Sequence, residues 1–221
     1  MPIKKEREYR NMAIRAMSEE PADEEKIVTG YASTFDEPYL LFDGEGWKLY
    51  EVVDRGAFDN TDMDDVIMQY DHAGRVFART RNNTLEVETD EKGLFIKADL
   101  GGTELGRGLY EEIRGGYTDK MSFGFTVNGD TEEHVKTDEG LDIYTRHITS
   151  VSKLYDVSAV SLPANDGTSI EADATTRSIS NLTDGVIERV RAERLEAEKT
   201  ELERQKVNVK VKALLRGVTN D

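Results

Sequence analysis

Asp119-Lys120-Met121-Ser122-Phe123-Gly124-Phe125-Thr126-Val127 is the stretch that decides how this chain folds. Apolar and polar residues alternate with period two, the spacing of a β-strand with two unlike faces. Met121, Phe123 and Phe125 make a core face; Ser122, Gly124 and Thr126 make the other. A hydroxyl two residues from a glycine leaves room for a second backbone or a substrate to approach, but an ordinary half-buried strand with a polar outer face has the same pattern. Working outward, β-type runs lie at 27–32, 49–53, 66–70, 85–88, 94–98, 143–149 and 153–162, which predicts about eight strands. Thr89-Asp90-Glu91-Lys92-Gly93 between two of them is a hairpin signature. One helix interrupts the strands: Thr103 is its N-cap, Leu105, Leu109 and Ile113 recur every four residues, and Gly115-Gly116 stops it. With no βαβ alternation, the fold class is mostly β with helices (α+β), not a doubly wound parallel sheet.

The chain has 221 residues, with 29 Lys+Arg against 45 Asp+Glu and no cysteine, for a formal charge of −16. The lack of cysteine excludes a disulfide framework, a thiol nucleophile, a zinc finger and an iron–sulfur site. The ends carry +3 (residues 1–16) and +1 (183–221), which leaves −20 on 17–182. A middle section so acidic repels phosphate backbones, so nucleic acid is not expected as a partner. No apolar run approaches the ~20 residues of a membrane span, and a soluble, cytosolic protein is expected.

Composition divides the chain into four parts. Residues 1–25, basic and then acidic around Pro21, read as a mobile N-terminal arm. Residues 26–165 form the β-rich domain, and 166–183 are a polar linker rich in Ser, Thr, Asp and Ala. Residues 184–221 form a charged C-terminal helix. In it Leu195, Leu202 and Val209 repeat every seven residues, while Arg191, Glu198 and Gln205 fill the companion positions. That is half of a coiled-coil seam, open to a solvated helix or to self-association.

Three histidines bound the search for chemistry. His72 follows a strong strand, His134 lies in a polar stretch that reads as a loop, and His147 sits inside a strand. None has the spacing of a metal pair, so no metal is expected. Asp156 stands in a strand-forming run where aspartate is disfavoured. It is an edge carboxylate, or it is buried and needs a donor such as a histidine N–H.

Taken in order, these pieces resemble the prohead serine proteases of tailed bacteriophages. The likeness rests on Gly30-Tyr31-Ala32-Ser33-Thr34-Phe35-Asp36, Asp54-Arg55-Gly56-Ala57-Phe58, Asp71-His72, Met121-Ser122-Phe123-Gly124-Phe125 and Leu154-Tyr155-Asp156-Val157-Ser158 leading to Pro163-Ala164-Asn165. It spans about residues 27–166. The resemblance implies Ser122 as nucleophile, His72 as general base and Asp156, where the family usually has glutamate, as third member. His147 is the alternative third member, a backbone N–H near Gly124 or the Arg146 side chain are candidate oxyanion donors, and the resemblance implies no cofactor. Ala78-Arg79 stands where the family often has glycine before arginine.

The resemblance further implies a small antiparallel β-barrel core of the herpesvirus-protease type. The expected substrates are the scaffolding segment of the major capsid protein and the enzyme's own chain. The expected place of action is the immature procapsid, in the host cytoplasm. A non-catalytic scaffold or capsid-assembly protein with the same β domain is the main alternative. An unrelated hydrolase lacks a Gly-x-Ser-x-Gly elbow here.

Overall fold

The computed structural model describes residues 7–13, 26–161 and 174–218. In chain order the strands are β1 (Glu8–Ala13), β2 (Ile27–Thr34), β3 (Tyr39–Gly44), β4 (Trp47–Val53), β5 (Ile67–Tyr70), β6 (Ala73–Arg79), β7 (Leu85–Thr89) and β8 (Gly93–Asp99). Helix α1 (Glu104–Arg114) precedes β9 (Lys120–Lys136) and β10 (Asp142–Val160), and α2 (Ala174–Val218) follows.

The alternating stretch begins β9, whose long antiparallel pairing with β10 is the backbone of the larger sheet. β10 branches. Its first half runs parallel to β4 (Asp142 to Ile148) and its second half parallel to β5 (Asp156 to Ala159). The order is β1-β9-β10-β4-β3, with β6 paired to β5. A separate antiparallel sheet runs β2-β8-β7. The apolar faces of both sheets share one core, where Val28, Leu94 and Ile96 join Met121, Phe123, Phe125 and Val157.

The α+β expectation agrees with these elements, but two of its details change. The larger sheet is mixed rather than wholly antiparallel. Among the described residues no ladder closes either sheet into a barrel. The physical reason is the branch: β10 spends its second half on β5, and β2 pairs with β8 instead of an open edge of the larger sheet.

Helix α1 starts as its sequence dictates, with the Thr103 hydroxyl accepting from Gly106 N at 2.9 Å. Leu109, Tyr110 and Ile113 are buried, whereas Leu105, expected on the same stripe, is exposed. The hairpin between β7 and β8 closes on Asp90, whose carboxylate accepts from Lys92 N and Gly93 N.

Residues 8–13, assigned to the arm by composition, are a strand on β9. Buried ion pairs hold it there. Arg10, 1% exposed, donates to Glu51 of β4 and to Glu8, and Arg146 of β10 donates to Glu8, Glu51 and Asp130. Burial opposes the Glu8 charge, yet the Arg146 hydrogen bond and the two guanidinium charges still hold its pKa below the ordinary carboxylate value. Burial and the neighbouring Glu51 push the Tyr39 phenol up, and its O–H donates to Glu51. Such a network is satisfied only when every partner is present.

The chain divides into two units, Met1–Ile179 and Ser180–Asp221. Helix α2 starts at Ala174, inside the stretch expected to be a linker, while 166–173 lie outside the described residues. Leu195 and Leu202 on its heptad stripe are exposed. No described helix is long and apolar enough to cross a membrane.

Candidate active site

Asp71 and His72 form the two-residue tip of the β5–β6 hairpin, enclosed by the Tyr70–Ala73 pair. Both have positive φ, 48° and 55°, as a type I′ hairpin turn requires, and Asp and His tolerate that region better than most residues. The tip is fastened to the end of β10. Asp71 N donates to Ala159 O at 2.9 Å, and Ser161 donates through N and Oγ to the Asp71 carboxylate.

This turn brings the His72 ring over the outer face of the sheet. Its Nδ1 lies 2.5 Å from Asp156 Oδ1, and the two side chains are 5% and 1% exposed. Asp156 is opposite Gly124 on β9 and Ile67 on β5. Two residues along, Ser158 is opposite Ser122, and its Oγ donates to Asp156 Oδ1 at 2.8 Å. Period-two alternation therefore puts Ser122, Gly124, Asp156 and Ser158 on one face of two neighbouring strands. Phe123 and Val157, also opposite each other, point into the core.

Gly124 is required here for space. A methyl group on its Cα would collide with the Asp156 carboxylate and lie 2.8 Å from Tyr9 Cε1. The Tyr9 ring in turn packs edge-on against His72, with centroids 4.4 Å apart. The glycine gap thus admits a carboxylate and an aromatic ring of the same chain.

The arrangement sets up acid–base chemistry. A carboxylate at Nδ1 fixes the neutral ring with its proton there and leaves Nε2 as an acceptor. His72 Nε2 and Ser122 Oγ are both buried, and neither has a hydrogen-bond partner among the described residues. The structure thus brings His72 and Asp156 into contact and sets Ser122 one strand from Asp156 on the same face. In this conformation Ser122 and His72 are not joined by a hydrogen bond. Buried polar atoms without partners are rare, so two such atoms on one face mark a place where something binds or reacts.

The other candidates go elsewhere. His147 Nδ1 meets Asp54 Oδ1 at 2.9 Å. His134, expected in a loop, lies on β9, stacked on Tyr144 with Nε2 3.0 Å from Asp142 Oδ1. Arg146, a candidate oxyanion donor, has its guanidinium engaged by Glu8, Glu51 and Asp130. Ala78 is buried, and Arg79 forms a two-bond pair with Asp65. Among the described residues no group of three or more His, Asp or Glu side chains converges to hold a metal.

Sequence reasoning missed two contributors. Ser158 could have been found, because it stands two residues from Asp156 in the same strand. Tyr9 gave no signal, since nothing in residues 1–25 announces a strand.

The family model of the caudovirus prohead serine proteases matches residues 12–184. No curated protein and no solved structure matches the chain. The matched span contains the His72–Asp156 pair and the Ser122 strand and covers most of the chain, which therefore belongs to the caudovirus prohead serine protease family.

Proposed function

We propose that the protein is a serine endopeptidase of phage capsid maturation, with Ser122 as nucleophile, His72 as general base and Asp156 as the carboxylate that orients it. One observation carries this reading: a buried His72 with Nδ1 on Asp156 and Nε2 unpartnered, on the same face as an equally unpartnered Ser122 hydroxyl. A buried carboxylate–imidazole pair beside a buried hydroxyl suits acyl transfer.

In the proposed reaction, Ser122 Oγ attacks the peptide carbonyl carbon while its proton passes to His72 Nε2. Collapse of the tetrahedral intermediate breaks the C–N bond, and His72 returns the proton to the leaving amine. Water then attacks the acyl-enzyme, giving its proton to His72, and Ser122 Oγ leaves as the hydroxyl with that proton. Asp156 stabilises the imidazolium throughout. No metal or cofactor takes part. The oxyanion donor is assigned to backbone N–H groups near Gly124, because Arg146 is engaged by carboxylates.

Family membership supports the major capsid protein's scaffolding segment as substrate, together with the chain itself, inside the procapsid in the host cytoplasm. The herpesvirus-type likeness of the protease core belongs to this proposal as well. The exposed Leu195 and Leu202 of α2 support self-association through that helix.

Co-expression with the cognate capsid protein and intact-mass measurement of both chains tests the reading. Cleavage is expected with the parent and none with Ser122→Ala, while a fluorophosphonate labels Ser122 alone. Normal processing by Ser122→Ala overturns the assignment. Failure of the parent to cleave the co-expressed capsid protein favours the non-catalytic scaffold.

A further inference from the structure

All three proposed catalytic groups are closed off. Ser122 is 0% exposed, and the His72 and Asp156 side chains are 5% and 1% exposed. A polypeptide substrate cannot reach an Oγ in that state. Some element has to move, and strand pairing identifies which one. β10 is held by β9, β4 and β5, whereas β1 lies at the sheet's edge, laddered to β9.

The contacts of β1 are divided between its two faces. On the site face, Tyr9 packs on His72 and leans over Gly124. Arg7 Nη1 is 3.5 Å from Asp156 Oδ2, with Cζ 3.6 Å from the centre of the Tyr155 ring. The backbone of Asn11 is the ladder partner of Ser122 itself. On the core face, Glu8 and Arg10 join the buried network of Glu51 and Arg146. One face of the strand covers the site and the other fastens it.

We infer that β1 is an internal latch: it occupies the edge of the nucleophile's strand and has to leave β9 before an extended substrate chain can reach Ser122. This rests on the Ser122 reading above. An extended peptide recognised through its backbone adds to a strand edge, and the edge beside Ser122 is already filled by residues 8–13. The peptide and β1 are therefore mutually exclusive occupants. Departure of β1 also removes the Arg7 cation from the free oxygen of Asp156, so the carboxylate then acts on the His72 imidazolium undiminished.

The test weakens the fastening without touching the site. Glu8 lies on the core face, and without it Arg146 keeps Glu51 and Asp130 while Arg10 keeps Glu51. Full-length parent, Glu8→Ala and the milder Glu8→Gln are exposed to a fluorophosphonate, and the rate of Ser122 labelling is read by peptide mass mapping. Labelling should rise roughly tenfold or more in Glu8→Ala, the scale of a lost charge-assisted hydrogen bond, and less in Glu8→Gln. Excess synthetic peptide of residues 7–13 should reverse the gain. A β1 that is merely structural would give equal or slower labelling in both variants, and that result overturns the latch. Labelling of Ser122 that is equal in all three chains removes the latch and keeps the nucleophile. Capsid cleavage by Ser122→Ala removes the nucleophile and the latch with it.

Discussion

Besides the His134–Asp142 contact at its start, β10 takes part in two further histidine–aspartate pairs, one in each half. In the second half, Asp156 holds His72 from the β5–β6 turn at 2.5 Å. In the first half, His147 meets Asp54, just beyond β4, at 2.9 Å. The geometries are close and the surroundings are not. The His147 and Asp54 side chains are 31% and 35% exposed, against 5% and 1% for the other pair. Water screens the first-half pair, while burial makes the Asp156 charge act on its imidazole at a low effective dielectric. Around Asp156 there is also a Ser158 hydroxyl on the same oxygen and a partnerless Ser122 one strand away. Proximity of imidazole and carboxylate is thus common in this chain; seclusion beside an unpartnered hydroxyl is what distinguishes one pair.

Exchanging the two pairs in experiment gives the largest effects. His72→Ala should lower capsid cleavage by about 10⁶-fold, the scale of removing a proton-transfer base, whereas folded His147→Ala should stay within a few-fold of the parent. A dead, well-folded His147→Ala beside an active His72→Ala would invert the comparison. Next come the carboxylates: Asp156→Asn should slow turnover by about 10⁴-fold by favouring the wrong ring tautomer, and Asp54→Asn by no more than about threefold. Equal small losses would make Asp156 an inert strand residue.

Gly124→Ala probes the space that only the buried pair needs. It should keep the fold by circular dichroism and lose about a hundredfold in kcat, because a displaced carboxylate moves the imidazole. Parental turnover would mean that the pair tolerates displacement. The smallest effect belongs to Ser158→Ala, which removes one hydrogen bond to Asp156 and should lower kcat about tenfold with KM unchanged. Restoration by Ser158→Thr would assign the loss to the hydroxyl rather than to packing.

Much of this was legible before any coordinates. The alternation through Ser122 to Thr126 is local, so it fixed the face of the nucleophile candidate without knowledge of the partner strands. Asp71-His72 after an apolar run is likewise local and turned out to be a hairpin tip. The β6 strand after it was missed because its first residues, Ala73-Gly74-Arg75, are exposed and lack alternation. The β1 strand was missed for a different reason. Its stabilising partners, Glu51 and Arg146, are 41 and 136 residues from Arg10, and a charged residue in a buried network looks in sequence like a solvated one. The branching of β10 was invisible too, since parallel pairing with β4 and β5 leaves no short-range pattern.

That branch has a consequence for the fidelity of folding. A single strand aligns the Ser122 strand on one side and the hairpin carrying His72 on the other, and it supplies Asp156 itself. Side chains alternate along it, so a slip of one residue in either ladder would turn Asp156 and Ser158 toward the core and Val157 toward the surface. A misregistered chain would therefore be inert rather than indiscriminate. Under the peptidase reading proposed above, catalytic competence is conditional on error-free assembly of the chain's own sheet.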